Sequence, residues 1–314
     1  MSVKTRVLSS LPPRAAMRVA GIVVAIVLGC ASVGFVVDGV DLAVPSAVGS
    51  VAVLALALRR PSWPYVVWFV VVLAAASALA SQELAAVAAG LVVAVAVIVQ
   101  LPVVRRYGAV VGVVPVIVAN IAGGTLESEP IFAAMGTVMG AVLTIAAVRV
   151  LRIPRVPAPD VGRRVAWAYV LMLGLTAGAV TAVVVHEDLP HGMWLVIALS
   201  TVLVPMPHET VARGRVRVAG TIVGALVGSA VAALVPAWVA IAVGLVAVFV
   251  SVAMMVAQRR HAFVAYGALA VVVLVGAGHG DVAVDAAAVR VGWTLAGALV
   301  AVGAGWAIST IERR

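Results

Sequence analysis

Continuous apolar runs of 15 to 24 residues, separated by short polar gaps, occupy most of the chain. They fall at 16–37, 44–58, 62–80, 84–102, 107–123, 131–151, 164–185, 191–207, 215–235, 237–257, 260–277 and 284–307. A transmembrane helix needs about 20 apolar residues. A membrane barrel would instead show short strands of alternating polarity. The pattern therefore predicts an all-α polytopic membrane protein of about 12 transmembrane helices. The run 44–58 is short for a full crossing. The break at Pro236 carries no charge, but 41 residues separate Arg217 from Arg259, both basic ends. Two crossings fit that length and one does not.

The gaps alternate in charge. One set holds Lys4, Arg6, Arg14 and Arg18, then Arg59 and Arg60, Arg105 and Arg106, Arg149 to Arg164, Arg213 to Arg217, Arg259 and Arg260, and Arg313 and Arg314. The other set has no Lys or Arg and carries Asp38, Asp41, Glu83, Glu127, Glu129, Glu187, Asp188, Asp281 and Asp285. Basic residues near helix ends resist translocation, so the basic side is expected in the cytoplasm, with both termini. Of 21 basic residues, Arg290 alone falls elsewhere, inside the last run about two turns below the outer surface.

Composition agrees with the pattern. Hydrophobic residues make up 65% of the 314 and charged residues 11%, against about 25% charged in soluble domains. Such a chain cannot cover a water-facing surface, so its first partner is the lipid bilayer of the plasma membrane. The net charge of +9 reads as topology and attraction to anionic lipid headgroups, not nucleic-acid binding. Cys30 is the only cysteine, so no disulfide forms within the chain. Basic residues ahead of Val19–Leu28 and Gly29-Cys30 loosely resemble a lipoprotein signal. Cleavage there would shift every later gap against the charge alternation, so a retained first span is expected.

Two modules are expected. A cytoplasmic tail covers 1–15, a first six-helix module 16–151, a basic, proline-rich linker 152–163, a second six-helix module 164–308, and a tail 309–314. Arg18-Val19-Ala20 and Arg164-Val165-Ala166 open the halves, and Tyr107-Gly108-Ala109 matches Tyr266-Gly267-Ala268. A second repeat lies inside the later half. Residues 217–227 and 290–300 are identical at seven of eleven positions, including Arg217/Arg290, Thr221/Thr294 and Gly224/Gly297. A shorter copy without the arginine begins at Gly136-Thr137 and includes Gly140. The copies enter the membrane from opposite sides, so inverted three-helix repeats are expected, with a site near the midplane between them.

Arg290 is the leading candidate. A central arginine costs roughly 2.5–3.5 kcal/mol on insertion scales. It either reaches the outer headgroups or pairs with Asp285 or Asp281, or it is a fixed cation for an anionic substrate. A guanidinium suits a carboxylate because it keeps its charge and offers two parallel bonds. Thr294, Thr221 and Asn120 are the further substrate-binding candidates, although threonine in a helix also bonds back to its own turn. Gly136 and Gly140, and Gly220, Gly224 and Gly228, recur four apart, as packing faces or as sliding faces between inverted halves with Gly297. His191 and Glu187, with His186 and Asp188 close by, and Asp285 and Asp281 are candidates for proton coupling. A metal at the His186–His191 loop is the weaker reading. Trp194 and Trp238 read as interface anchors, and Pro115 as a helix kink near Asn120. His208-Glu209-Thr210 lacks the second histidine of a zinc-protease helix. No phosphate loop or nucleophile constellation occurs, so neither an enzyme nor a cofactor is expected, and transport should run on a gradient.

Several of these features occur together. They are the His191-Gly192-x-Trp194 turn, the exit Val204-Pro205-Met206-Pro207, the Arg217-led Gly220-Thr221-x-x-Gly224 helix and the Arg290-x-x-x-Thr294-x-x-Gly297 segment. In combination the chain resembles the fusaric acid resistance-like family, also called the aromatic acid exporter or integral membrane bound transporter family. The similarity is best across Arg163–Val235. It implies a secondary transporter exporting aromatic carboxylates or related small organic anions. An anion channel on the same scaffold and a non-transporting membrane scaffold are the alternatives. Association into a homo-oligomer is left open by the sequence.

Overall fold

The computed structural model describes residues 13–124, 129–153, 156, 161–257, 259–277 and 280–312. Lys4, Arg6, Glu127, Arg155, Arg313, Arg314 and the linker prolines lie outside the described residues. So do most of the two tails.

The described elements are helical: α1 Pro13–Ala57, α2 Trp63–Ala80, α3 Ala86–Ile98, α4 Leu101–Tyr107, a 3-10 turn Ala109–Gly112, α5 Val113–Ala122 and α6 Pro130–Val150. They continue as α7 Arg163–His186, α8 Met193–Val202, α9 Pro207–Leu234, α10 Ala237–Val256, α11 Arg260–Val275 and α12 Gly280–Glu312. By length and composition seven of them can cross a membrane, or up to eight if the bent pair α3–α4 is one span. The chain is a multi-pass helical membrane protein.

Every predicted run holds helix, but local chemistry shortens several. The run 84–102 breaks after Ile98, and the two pieces meet at 45°. Pro102 sits in the first turn of α4, where its ring crowds the carbonyl four residues back and it offers no N–H. The run 191–207 keeps helix only over Met193–Val202, because Leu203 is extended (φ −68°, ψ 126°) and Pro205 and Pro207 follow. Ten residues rise about 15 Å, half of a ~30 Å hydrocarbon layer. The run 107–123 begins instead with the 3-10 turn, after Gly108 takes a left-handed φ of 67°.

The longest element, α1, is two helices. Asp38 and Gly39 are non-helical, Gly39 at φ 61°. A Cβ built on Gly34 would stand 2.7 Å from Leu42 O and 2.9 Å from Ala43 Cα. Residues eight apart in one helix would be about 12 Å apart. The chain therefore reverses at 38–39, in the gap between the first two predicted runs.

The chain forms two compact units. One comprises Ala25–Thr210 and Val300–Arg314. In it, both arms of the α1 reversal pack on α6. Cys30 Sγ lies 3.8 Å from Gly140 O and from Thr144 Oγ1. Thr144 Oγ1 donates to Ser50 Oγ at 2.7 Å. Helices α3 and α7 pack with backbones nearly touching: a Cβ on Gly90 would stand 2.5 Å from Gly178 O, and the reverse holds at 2.5 Å. Such small faces allow the close approach that holds helices together in lipid.

The charge alternation is realised in space within this unit. Val156 N donates to Leu58 O at 2.9 Å, Val161 N to Arg105 O at 3.4 Å, and Ser62 N to Tyr107 Oη at 3.2 Å. These bonds gather the basic gaps 58–62, 105–108 and 149–164 at one end. Glu83 and Glu129 border one cavity, and Asp188 borders a second that shares Ala122 with it, so the acidic gaps meet as well.

The other unit comprises Met1–Val24 and Val211–Leu299. Its centre is α9 against α11. Cβ atoms on Gly220, Gly224 and Gly228 would meet Val264, Ala268 and Val272 at 2.8–3.0 Å. The predicted glycine face thus seats on α11, and both helices run the same way. Helices α10 and α11 run antiparallel, with Gly244 on Leu274 and Gly267 on Ser251.

Candidate functional site

In this second unit α9 and α12 pair antiparallel. Ser229 Oγ donates to Ala283 O at 3.3 Å. Ala225, Ala232, Val272 and Ala283 form a buried cluster, with Ala287 and Val291 against it. Moving along both helices from the Ser229–Ala283 bond, Thr221 lies about 12 Å away and Arg290 about 10 Å. Arg217 and Thr294 follow at about 18 and 16 Å. The two Arg-x-x-x-Thr segments therefore cross head to tail, Arg290 at the level of Thr221 and Arg217 at the level of Thr294.

Burial confirms that this stretch faces inward. Arg290 is 6% exposed, Thr221 1% and Thr294 2%; Gly297 is also buried. Arg217 is half-buried with its Nε enclosed and without a hydrogen-bond partner. The two guanidinium groups lie within electrostatic range of each other. Arg290 stands ten residues from the start of α12 at Gly280, about 15 Å along the axis.

Acid is sparse in the sequence of this unit. Between residues 1–24 and 211–299 the sequence has only Asp281 and Asp285. Asp285 is exposed and lies five positions from Arg290, roughly 140° around the helix at 100° per residue. The side chain of Asp281 lies outside the described residues. The helix pair thus carries two arginines within electrostatic range and two buried threonines.

The remaining predicted residues lie in the other unit. Asn120 is half-buried, and its Nδ2 donates to Val116 O at 2.7 Å. It lines a cavity of about 520 Å³ with Asp188, His191, Met193 and Trp194. His191 is exposed and takes a left-handed φ of 56°, as does Asp188 at 45°. Glu187 is exposed and 3.8 Å from His186. Among the described residues no group of His, Cys, Asp or Glu could hold a metal. Gly136 and Gly140 seat on Pro45, Ser46 and Ser50 of α1, and Thr137 Oγ1 bonds back to Ala133 O at 2.7 Å.

Sequence reasoning ranked Arg290 first but set Arg217 apart, at the cytoplasmic end. The repeat itself held the signal. Two copies of one segment on antiparallel neighbours bring their arginines together whenever the register centres between them.

Residues 179–304 match the family model described as fusaric acid resistance protein-like. The match includes the His191–Trp194 turn and both arginine-led helices, and it supports the resemblance read from the sequence. No curated protein and no solved structure matches the chain.

Proposed function

We propose, from the fusaric acid resistance-like pattern over residues 179–304, that the chain is a secondary transporter exporting organic anions, aromatic carboxylates among them. One observation carries the reading: Arg290 is buried within electrostatic range of Arg217, on a helix pair that also buries Thr221 and Thr294. Two like charges in a low-dielectric setting repel, and an entering carboxylate relieves both the repulsion and the desolvation. Arg290 takes the carboxylate in a two-point grip, Arg217 adds charge, and the Thr221 and Thr294 hydroxyls donate to it.

The antiparallel crossing of α9 and α12 fits an inverted repeat, with alternating access about the crossing and twelve passages of the membrane. Asp285, Asp281, His191 and Glu187 are the groups through which a proton gradient couples. The basic ends face the cytoplasm across the plasma membrane.

Transport of a radiolabelled aromatic carboxylate by reconstituted vesicles tests this. Losing a charge-assisted bond worth about 1.5–3 kcal/mol lowers the apparent affinity of Arg290→Ala roughly 10- to 150-fold. Arg290→Lys keeps the charge and loses the two-point grip, so it falls between. Normal transport by both variants overturns the arginine assignment. Conductance that follows voltage without uphill transport makes the protein a channel. No flux in the wild type, with a stable co-purifying partner, makes it a scaffold.

A further inference from the structure

The basic end of the unit Ala25–Thr210 is more ordered than a positively charged rim requires. Arg60 and Arg152 both sit in the left-handed region, at φ 48° and 50°. This is a conformation in which glycine is the cheap residue. Both side chains are exposed. The two positions are joined: Arg60 Nη2 donates to Ile153 O at 3.1 Å, the residue next to Arg152. Arg149 completes the group. Its Nη2 donates to Pro61 O at 3.3 Å, and its guanidinium lies 4.2 Å over the ring of Trp63.

The guanidinium groups of Arg60 and Arg149 are therefore held between the ends of α1 and α6, with exposed Arg152 next to them. Each guanidinium has five N–H donors, so a single bond to a carbonyl orients Arg60 and Arg149 and leaves donors unspent. Orientation before binding reduces the entropy lost when an anion arrives. The segments 58–62 and 149–153 include no acid; Asp160 of the linker lies outside the described residues. Trp63 is 58% exposed at the start of α2, where an indole marks the level of the headgroups.

We propose that Arg60, Arg149 and Arg152 form a cradle for the phosphate of an anionic phospholipid, with the lipid's acyl chains running along Trp63 and α2. The left-handed turns at Arg60 and Arg152 close the ends of α1 and α6, where Ile153 N donates to Val148 O at 3.2 Å, and so set both arginines at the same rim. Phosphate chemistry alone also fits a soluble phosphate; the exposed indole beside the cradle selects the membrane lipid.

Native mass spectrometry of the full chain in detergent, titrated with phosphatidylglycerol or with phosphatidylcholine, tests the cradle. The expected result is a resolved phosphatidylglycerol adduct that outcompetes phosphatidylcholine. Arg60→Gly and Arg152→Gly each remove a cation and relieve the backbone, so they keep or raise thermal stability in neutral detergent. Each weakens phosphatidylglycerol binding roughly tenfold or more, the loss of one charge-assisted hydrogen bond to the phosphate. Arg105→Gly, a basic residue at the same end but outside the cradle, weakens it by no more than about fivefold, the worth of diffuse surface charge. Equal weakening by Arg105→Gly overturns the cradle in favour of diffuse charge. Loss of stability in both glycine variants without lipid makes the arginines structural. Glycerol phosphate competing at the lipid's own concentration overturns the assignment to lipid.

Discussion

Substituting Gly224 by alanine tests the closest helix contact in the unit that carries Arg290. A Cβ there would stand 2.8 Å from Ala268 Cβ and 2.9 Å from Leu269 N, and closer still to Ala265 O. Two of those three atoms belong to the α11 backbone and cannot rotate away. The helices must separate by roughly half an ångström or more, and overpacking of that kind costs about 1–3 kcal/mol. Alanine recovers up to about 1 kcal/mol through helix propensity. The net loss of ~1–2 kcal/mol corresponds to a fall of about 2–8 °C in melting temperature. Gly292→Ala is the internal control: nothing lies within 4 Å of its Cβ, so only the propensity gain remains and melting rises or holds. Thermal unfolding of the detergent-solubilised protein, followed by size-exclusion fluorescence, reads both. If the two variants shift melting by the same amount in the same direction, α9 and α11 are not in backbone contact and the reasoning fails.

Two further outcomes follow from the other unit. Cys30 is 3% exposed and packed on Gly140 and Thr144; a water-soluble maleimide should label it only after denaturation, and rapid labelling of the native protein would remove α6 from its place. Gly39 holds a φ of 61° with open space around it. Gly39→Ala should therefore cost about 1–2 kcal/mol through backbone strain alone, seen as a lower melting temperature, whereas a neutral result would mean that α1 is not reversed there.

Much of the fold was legible because its determinants are local. Apolar run length placed the helices, and Asp38-Gly39 and Pro236 marked breaks that the chain does make. Where runs were read too long, the cause was also local: Pro102 breaks the run 84–102, and Pro205 with Pro207 ends α8 after ten residues. The site was legible in part. Arg290, Thr221 and Thr294 were singled out, and all three are buried along one helix pair, Arg290 at the level of Thr221 and Thr294 about one turn further on. Asn120 was grouped with them and belongs to the other unit, because a polar residue in an apolar helix announces itself without saying which neighbours it meets.

The sequence by itself determined that this is a helical membrane protein, where its helices lie, and which ends are basic. Transfer free energy and charge act residue by residue, so a linear pattern records them. Only the tertiary structure decided which glycine face meets which helix. It seated Gly220, Gly224 and Gly228 on α11, and it paired Gly90 with Gly178 across more than eighty residues. It also brought Arg217 toward Arg290 and joined two left-handed arginines at one corner. Those outcomes depend on the register between helices far apart in sequence. That register is set by backbone contacts between pairs of helices, and no single helix carries it.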